Sequence, residues 1–145
     1  MSEKEINLKL VIVLGRMIKA MDKRLVPGIT GHGITMSQFA VMEALLHKGA
    51  LTVNEIIETT LSSSGNMGVV IANLEKRGLV EKQISHADRR SRKVSLTTKG
   101  HDLISTVYPE HETNIMNNFG GLELSEKQQL IELIKKFGKS MEDHT

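Results

Sequence analysis

The chain has 145 residues, 19 Lys and Arg against 17 Asp and Glu, no Cys, no Trp and 3% aromatic side chains. One domain with helical extensions fits that length, and 39% apolar with 25% charged residues argues against global disorder. Without cysteine there are no disulfides, thiolate metal sites, Cys nucleophiles or thiol-based sensors. The charged start Met1-Ser2-Glu3-Lys4-Glu5 is unlike an export signal, and Lys9 interrupts the apolar run Leu8–Leu14, so a cytoplasmic protein with no membrane span is expected.

The formal charge of +2 hides a strong asymmetry. Residues 1–75 carry 7 basic and 7 acidic groups, residues 76–99 carry 8 and 2, and residues 100–145 carry 4 and 8. A surplus of +6 therefore sits in one short segment and an excess of −4 in the C-terminal arm.

In chain order, Leu10, Val11, Leu14, Met17, Ile18, Met21 and Leu25 recur at helical spacing and predict an amphipathic helix of about six turns. It is expected to close in the turn-rich stretch Pro27–Gly33. Two readings of this stripe stand: core packing or a subunit interface. Thr35 with Gln38 and Thr52 with Glu55 are capping boxes, which start helices over about 36–47 and 53–60. Ser62-Ser63-Ser64-Gly65-Asn66 opens a further helix whose apolar positions are Met67, Val70, Ile71 and Leu74, and Gly78 ends it. Leu79–Ile84 and Lys93–Thr97 then alternate as strands around the polar loop Ser85–Arg92. A helix after Thr98 is expected to bend or split at Pro109, and a last helix starts at Ser125, with Gln128 completing a third capping box.

The fold class is mainly α with a small β-hairpin wing (α+β): a winged helix-turn-helix over 35–100, flanked by N- and C-terminal helices in 1–34 and 101–145. Within the helix-turn-helix, the second helix presents Ser63, Ser64, Asn66, Gly68, Val69 and Asn73 once its apolar positions are set aside. The two serines suit helix capping and a phosphate equally. Asn66 and Asn73 match an adenine edge, and Val69 matches a thymine methyl. In the hairpin tip His86-Ala87-Asp88-Arg89-Arg90-Ser91-Arg92-Lys93, three arginines and a lysine crowd five positions. Such a tip fits the narrow minor groove of DNA, with Asp88 orienting one arginine.

Three segments together resemble the MarR family of bacterial transcriptional regulators: Asn73-Leu74-Glu75-Lys76-Arg77-Gly78-Leu79-Val80, then Asp88-Arg89-Arg90, then Val94-Ser95-Leu96-Thr97-Thr98-Lys99-Gly100. The resemblance covers nearly the whole chain, and it implies that the terminal helices in 1–34 and 101–145 form the dimerisation region. It implies a homodimer on double-stranded DNA, at an inverted-repeat operator, with recognition helices in successive major grooves and wings in the flanking minor grooves. By the family's Asp-x-Arg pattern, Arg90 takes the minor-groove role and Asp88 steadies it. Family members often carry Thr and Arg where Gly68 and Val69 stand here, which shifts weight toward the wing and DNA shape.

The resemblance also implies repression released by a small apolar or aromatic effector, bound between the dimerisation helices and the DNA-binding lobe. Candidates for its lining are Met17, Met21, Leu25, His32, Met42 and Tyr108. No cofactor is implied, and no nucleophile–base set for an enzyme can be nominated. Two other readings stay open: a winged-helix protein-interaction module, and a metal-responsive regulator, for which Glu110-His111-Glu112 offers ligand types on diverging helix positions.

Overall fold

The computed structural model describes residues 1–60, 66–84 and 92–142. The elements run α1 (Glu3–Thr30), α2 (Met36–Lys48), β1 (Leu51–Thr52), α3 (Val53–Thr59), α4 (Met67–Lys76), β2 (Val80–Ile84), β3 (Arg92–Leu96), α5 (Thr98–Asn118) and α6 (Leu124–Glu142). This is the mainly helical winged-helix architecture that the sequence predicts.

Both early capping boxes form. The Thr35 hydroxyl accepts from the Gln38 backbone N–H while the Gln38 amide oxygen accepts from the Thr35 N–H, and Thr52 and Glu55 repeat the exchange. Ser2 and Glu5 make an additional box at the head of α1.

Four expectations are corrected. First, α1 is longer than six turns: its 28 residues run from Glu3 through Pro27 to Thr30, and it closes within the expected stretch, with Gly31 as its C-cap. Proline forfeits one backbone bond, whereas continuing the helix places Ile29 wholly inside the core, and the burial wins. Second, α5 is not split at Pro109 but is one helix, with Ile104 and Val107 before the proline buried in the core and His111 after it edge-on to Phe39 of α2. Third, α6 begins at Leu124, so Ser125 lies inside it and the Ser125–Gln128 box is not used. The Glu126 carboxylate instead accepts from the Glu123 backbone N–H at 2.9 Å, a competing i, i+3 pair two residues earlier. Fourth, the hairpin is part of a three-stranded antiparallel sheet in the order β1-β3-β2, because Leu51 pairs with Val94 and Thr52 with Lys93.

One continuous core joins Ile29 of α1, Phe39, Val41, Met42 and Leu45 of α2, Ile56 of α3, Ile71 and Leu74 of α4, Val94 of β3, and Ile104 and Val107 of α5. The α6 helix contributes no buried residue. Among the described residues, no helix is long and apolar enough to cross a membrane.

Candidate nucleic-acid interface

The sequence order places α3 and α4 on either side of a short connection. Met67, Ile71 and Leu74 turn one face of α4 into the core. The same helical spacing leaves Asn66, Val69 and Asn73 on the opposite face, with Val69 61% exposed. Among the described residues, a Cβ at Gly68 would meet nothing within 4 Å. Asn66 occupies the N-cap position but its side chain makes no capping bond to the helix.

The far end of α4 is pinned. Gly78, at φ 73, turns the chain in a conformation that disfavours a side chain, and the Leu79 N–H bonds the Leu74 carbonyl at 2.9 Å. The Thr97 hydroxyl donates to the Gly78 carbonyl at 2.6 Å and accepts from the Gly100 N–H at 3.0 Å, which ties the wing base to the head of α5. Gly100 sits directly against the Leu79 carbonyl, where a Cβ has no room.

The basic segment divides into two sets. Arg77 is used internally: its guanidinium donates to the Gly33 carbonyl at 2.9 Å and to the Gln38 amide oxygen at 3.3 Å. Lys99 in turn caps the Arg77 carbonyl at 3.0 Å. Lys76, Lys82, Arg92 and Lys93 are exposed and make no ion pair among the described residues. Arg92 faces Ile84 and Lys93 faces Gln83 across the ladder, so both cations stand at the outer end of the wing. The remaining candidates, Ser63, Ser64, Asp88, Arg89 and Arg90, lie outside the described residues.

The expected effector residues do not converge. Met21 and Leu25 line a cavity of about 600 Å³ bounded by α1, α2, the end of α3 and His111 of α5. Met17 lies 53% exposed on a separate groove against the loop after α5. Met42 is wholly buried in the core. Tyr108 packs on the core and meets the His47 ring edge-on at 4.7 Å between centroids. His32 is engaged by Glu110 at 2.6 Å, a pair that ties the loop after α1 to α5. Phe39, Glu43, His47, Thr60 and His111 line the cavity as well, and the sequence reading missed them in this role. Phe39 follows directly on the Thr35–Gln38 box, which fixes its place on α2; Thr60 carries no pattern that would mark it. Among the described residues no three His, Asp or Glu side chains gather to hold a metal.

A sequence model described as the MarR family matches residues 32–91. The HTH-type transcriptional regulator MhqR of Bacillus subtilis is 33% identical over 138 residues, spanning 95% of this chain and 94% of that protein. The chain belongs to the MarR family. Like that relative it is a transcriptional regulator, with a winged-helix DNA-binding fold. The uncharacterised HTH-type transcriptional regulator YkoM of Bacillus subtilis is 34% identical over 94% of this chain and 88% of its own length. Among solved structures, BpsR of Bordetella bronchiseptica, whose DNA binding is regulated by 6-hydroxynicotinic acid, superposes with a TM-score of 0.71 at 27% identity. That match covers 86% of this chain and 91% of BpsR.

Proposed function

We propose that this MarR-family regulator is a cytoplasmic, ligand-responsive repressor that binds an inverted-repeat operator as a homodimer. The observation that carries the reading is the exposed face of α4: Asn66, Val69 and Asn73 project from the second helix of a helix-turn-helix, and Arg92 and Lys93 of the wing are exposed with no ion pair among the described residues. This face suits the major groove, where Asn pairs with adenine edges and Val meets thymine methyls. The wing carries Asp88, Arg89, Arg90, Arg92 and Lys93 toward the flanking minor groove, and Ser63 and Ser64 meet phosphate at the turn.

The second copy is needed by α6. Leu130, Ile131, Leu133, Ile134, Phe137 and Met141 are 40–57% exposed along it. Covering six half-exposed apolar side chains is worth on the order of 5 kcal/mol per protomer before association costs. The apolar positions of α1, including Val11, Ile12 and Val13, are equally open and complete the proposed dimer face. Effector control by a small apolar or aromatic molecule is supported by the cavity between the helical arm and the DNA-binding lobe, and by the effector control of BpsR.

In vitro selection from random duplexes, followed by a salt titration on the selected site, tests this reading. Arg90→Ala is expected to weaken binding at least about tenfold, and Lys93→Ala to reduce the slope of log affinity against log salt by about one phosphate contact. Unchanged affinity in Arg90→Ala contradicts the wing assignment, and monomers in light scattering at micromolar concentration contradict the dimer.

A further inference from the structure

Arg77 is the C-cap of α4, the point where the second helix of the helix-turn-helix joins the rest of the chain. Its side chain leaves that helix for the loop between α1 and α2. The guanidinium Nη1 donates to the Gly33 carbonyl at 2.9 Å and to the Gln38 side-chain oxygen at 3.3 Å. That oxygen also accepts from the Thr35 N–H at 3.0 Å, so Arg77 closes onto the capping box that starts α2. From the other side, Lys99 of α5 donates to the Arg77 carbonyl at 3.0 Å. One residue thus ties the end of α4 to the α1–α2 loop, the head of α2 and the head of α5.

The acceptors are themselves held in place. Ile29 and Ile34 flank the loop and are buried, the Gly33 N–H bonds the Thr30 carbonyl at 3.0 Å, and His32 meets Glu110 of α5 at 2.6 Å. Burial alone does not fix the pose of α4. Met67, Ile71 and Leu74 hold it to the core through non-directional contacts, which tolerate small tilts and slides. Directional bonds to an anchored loop resist them. The lever is long: the ten residues of α4 span about 15 Å, so a tilt of roughly 5° about the Arg77 end displaces Asn66 by about 1 Å. A binding constellation needs its groups within about 0.5 Å of the productive geometry.

We propose that Arg77 is a positioning residue for sequence-specific DNA binding: its bonds to Gly33 and Gln38 set the angle at which α4 presents Asn66, Val69 and Asn73, and the guanidinium does not itself touch DNA. The inference rests on α4 as the DNA-reading helix and adds what orients it. It also separates Arg77 from Lys76, the exposed cation one position earlier. Removing Lys76 removes charge, which acts on every duplex alike. Removing Arg77 also releases the pose of the helix, and only a duplex whose base edges must be met in register senses that.

The test measures affinity for a selected duplex and for a scrambled duplex of the same length across a salt series, using the full-length parent, Arg77→Ala, Arg77→Lys and Lys76→Ala. Thermal unfolding shows that each variant is folded. Arg77→Ala is expected to lose at least about fivefold on the selected duplex, to stay within about twofold on the scrambled one, and to keep the parent's salt slope. Arg77→Lys keeps the charge but not the planar donor that spans both acceptors, and should lose at least about threefold on the selected duplex alone. Lys76→Ala should change both affinities by the same factor. In the DNA-free protein, the backbone amides of Asn66 and Val69, at the far end of α4, should shift in NMR spectra of Arg77→Ala and stay in place in Lys76→Ala. The proposal is overturned if Arg77→Ala and Arg77→Lys bind the selected duplex like the parent, if both duplexes lose affinity by the same factor, or if those amides do not move. A salt slope lowered by about one phosphate contact in Arg77→Ala overturns it too, because Arg77 is then a DNA ligand. A parent protein that prefers no duplex over a scrambled one contradicts the DNA-reading assignment of α4 itself, and this proposal with it.

Discussion

Replacing Gly100 with Ala sets two well-separated effects against each other. Alanine is the better helix former, and at the third position of α5 that gain is at most about 1 kcal/mol. The new Cβ, however, overlaps the Leu79 carbonyl oxygen and comes within 2.9 Å of its carbonyl carbon and 3.3 Å of its Cα. None of those atoms is the loose end of a side chain. The Leu79 N–H is bonded to the Leu74 carbonyl, its carbonyl accepts from the Thr97 N–H at 3.1 Å, and its side chain is 1% exposed. Relief requires moving backbone, which costs roughly 1–3 kcal/mol of core strain. It also costs about 1 kcal/mol or more for the displaced Thr97 bond. The net expectation is a loss of about 2–4 kcal/mol, or a fall in Tm of roughly 5–15 °C for a chain of this size. Urea and thermal unfolding at fixed protomer concentration check it, the concentration being held because a dimer's Tm depends on it. Gly68→Ala is the matched control: among the described residues nothing lies within 4 Å of its Cβ, so in DNA-free protein it is expected to be neutral or stabilising by up to about 1 kcal/mol. A Gly100→Ala protein as stable as the parent refutes the packing argument.

Two further outcomes follow from bonds at helix ends. Thr97→Ala removes the acceptor of the Gly100 N–H and the donor to the Gly78 carbonyl, and is expected to cost about 1–2 kcal/mol in urea unfolding, with most of it recovered in Thr97→Ser; equal stabilities for the alanine and serine variants contradict this. The bonds from the Ser2 backbone N–H and hydroxyl hold the Glu5 carboxyl below its ordinary value of 4.5. A depressed carboxylate contributes stability above its unfolded value that is lost as pH falls through the folded one. The first turn of α1 should therefore fray in amide NMR shifts as the solution is acidified below pH 4.5, and Glu5→Gln should abolish the step; a step that persists in Glu5→Gln contradicts the assignment.

What the sequence reveals is the part set by neighbours in the chain. The Thr35–Gln38 and Thr52–Glu55 boxes involve residues three apart, so pattern and structure coincide there. The helical spacing of Met67, Val70, Ile71 and Leu74 likewise names the buried face of α4, and so leaves Asn66, Val69 and Asn73 as the face turned out. The positions misread are those settled by distant partners. Pro27 and Pro109 are local helix breakers, yet the core contacts of Ile29 and Val107 keep both helices continuous. Two residues of β1 carry no period, and only Val94 and Lys93 on the partner strand define them. The cavity was the least legible feature, because Thr60 and His111 meet there from helices that are far apart in the chain. Similarly, the basic surplus over 76–99 does not reveal that Arg77 is spent on the Gly33 carbonyl and the Gln38 amide, a contact that spans some forty positions.

The most direct test of the account is hydroxyl-radical footprinting of the full-length protein on a duplex selected for tight binding. A homodimer with α4 in successive major grooves should protect two symmetric half-sites whose centres lie about one helical turn, ~10 bp, apart, with minor-groove protection on the outer flanks. Those flanking protections should fade in the Arg90→Ala protein while the central ones persist at saturating concentration. A single unsymmetrical patch, or no sequence-specific protection at any protein concentration, would contradict the central claim.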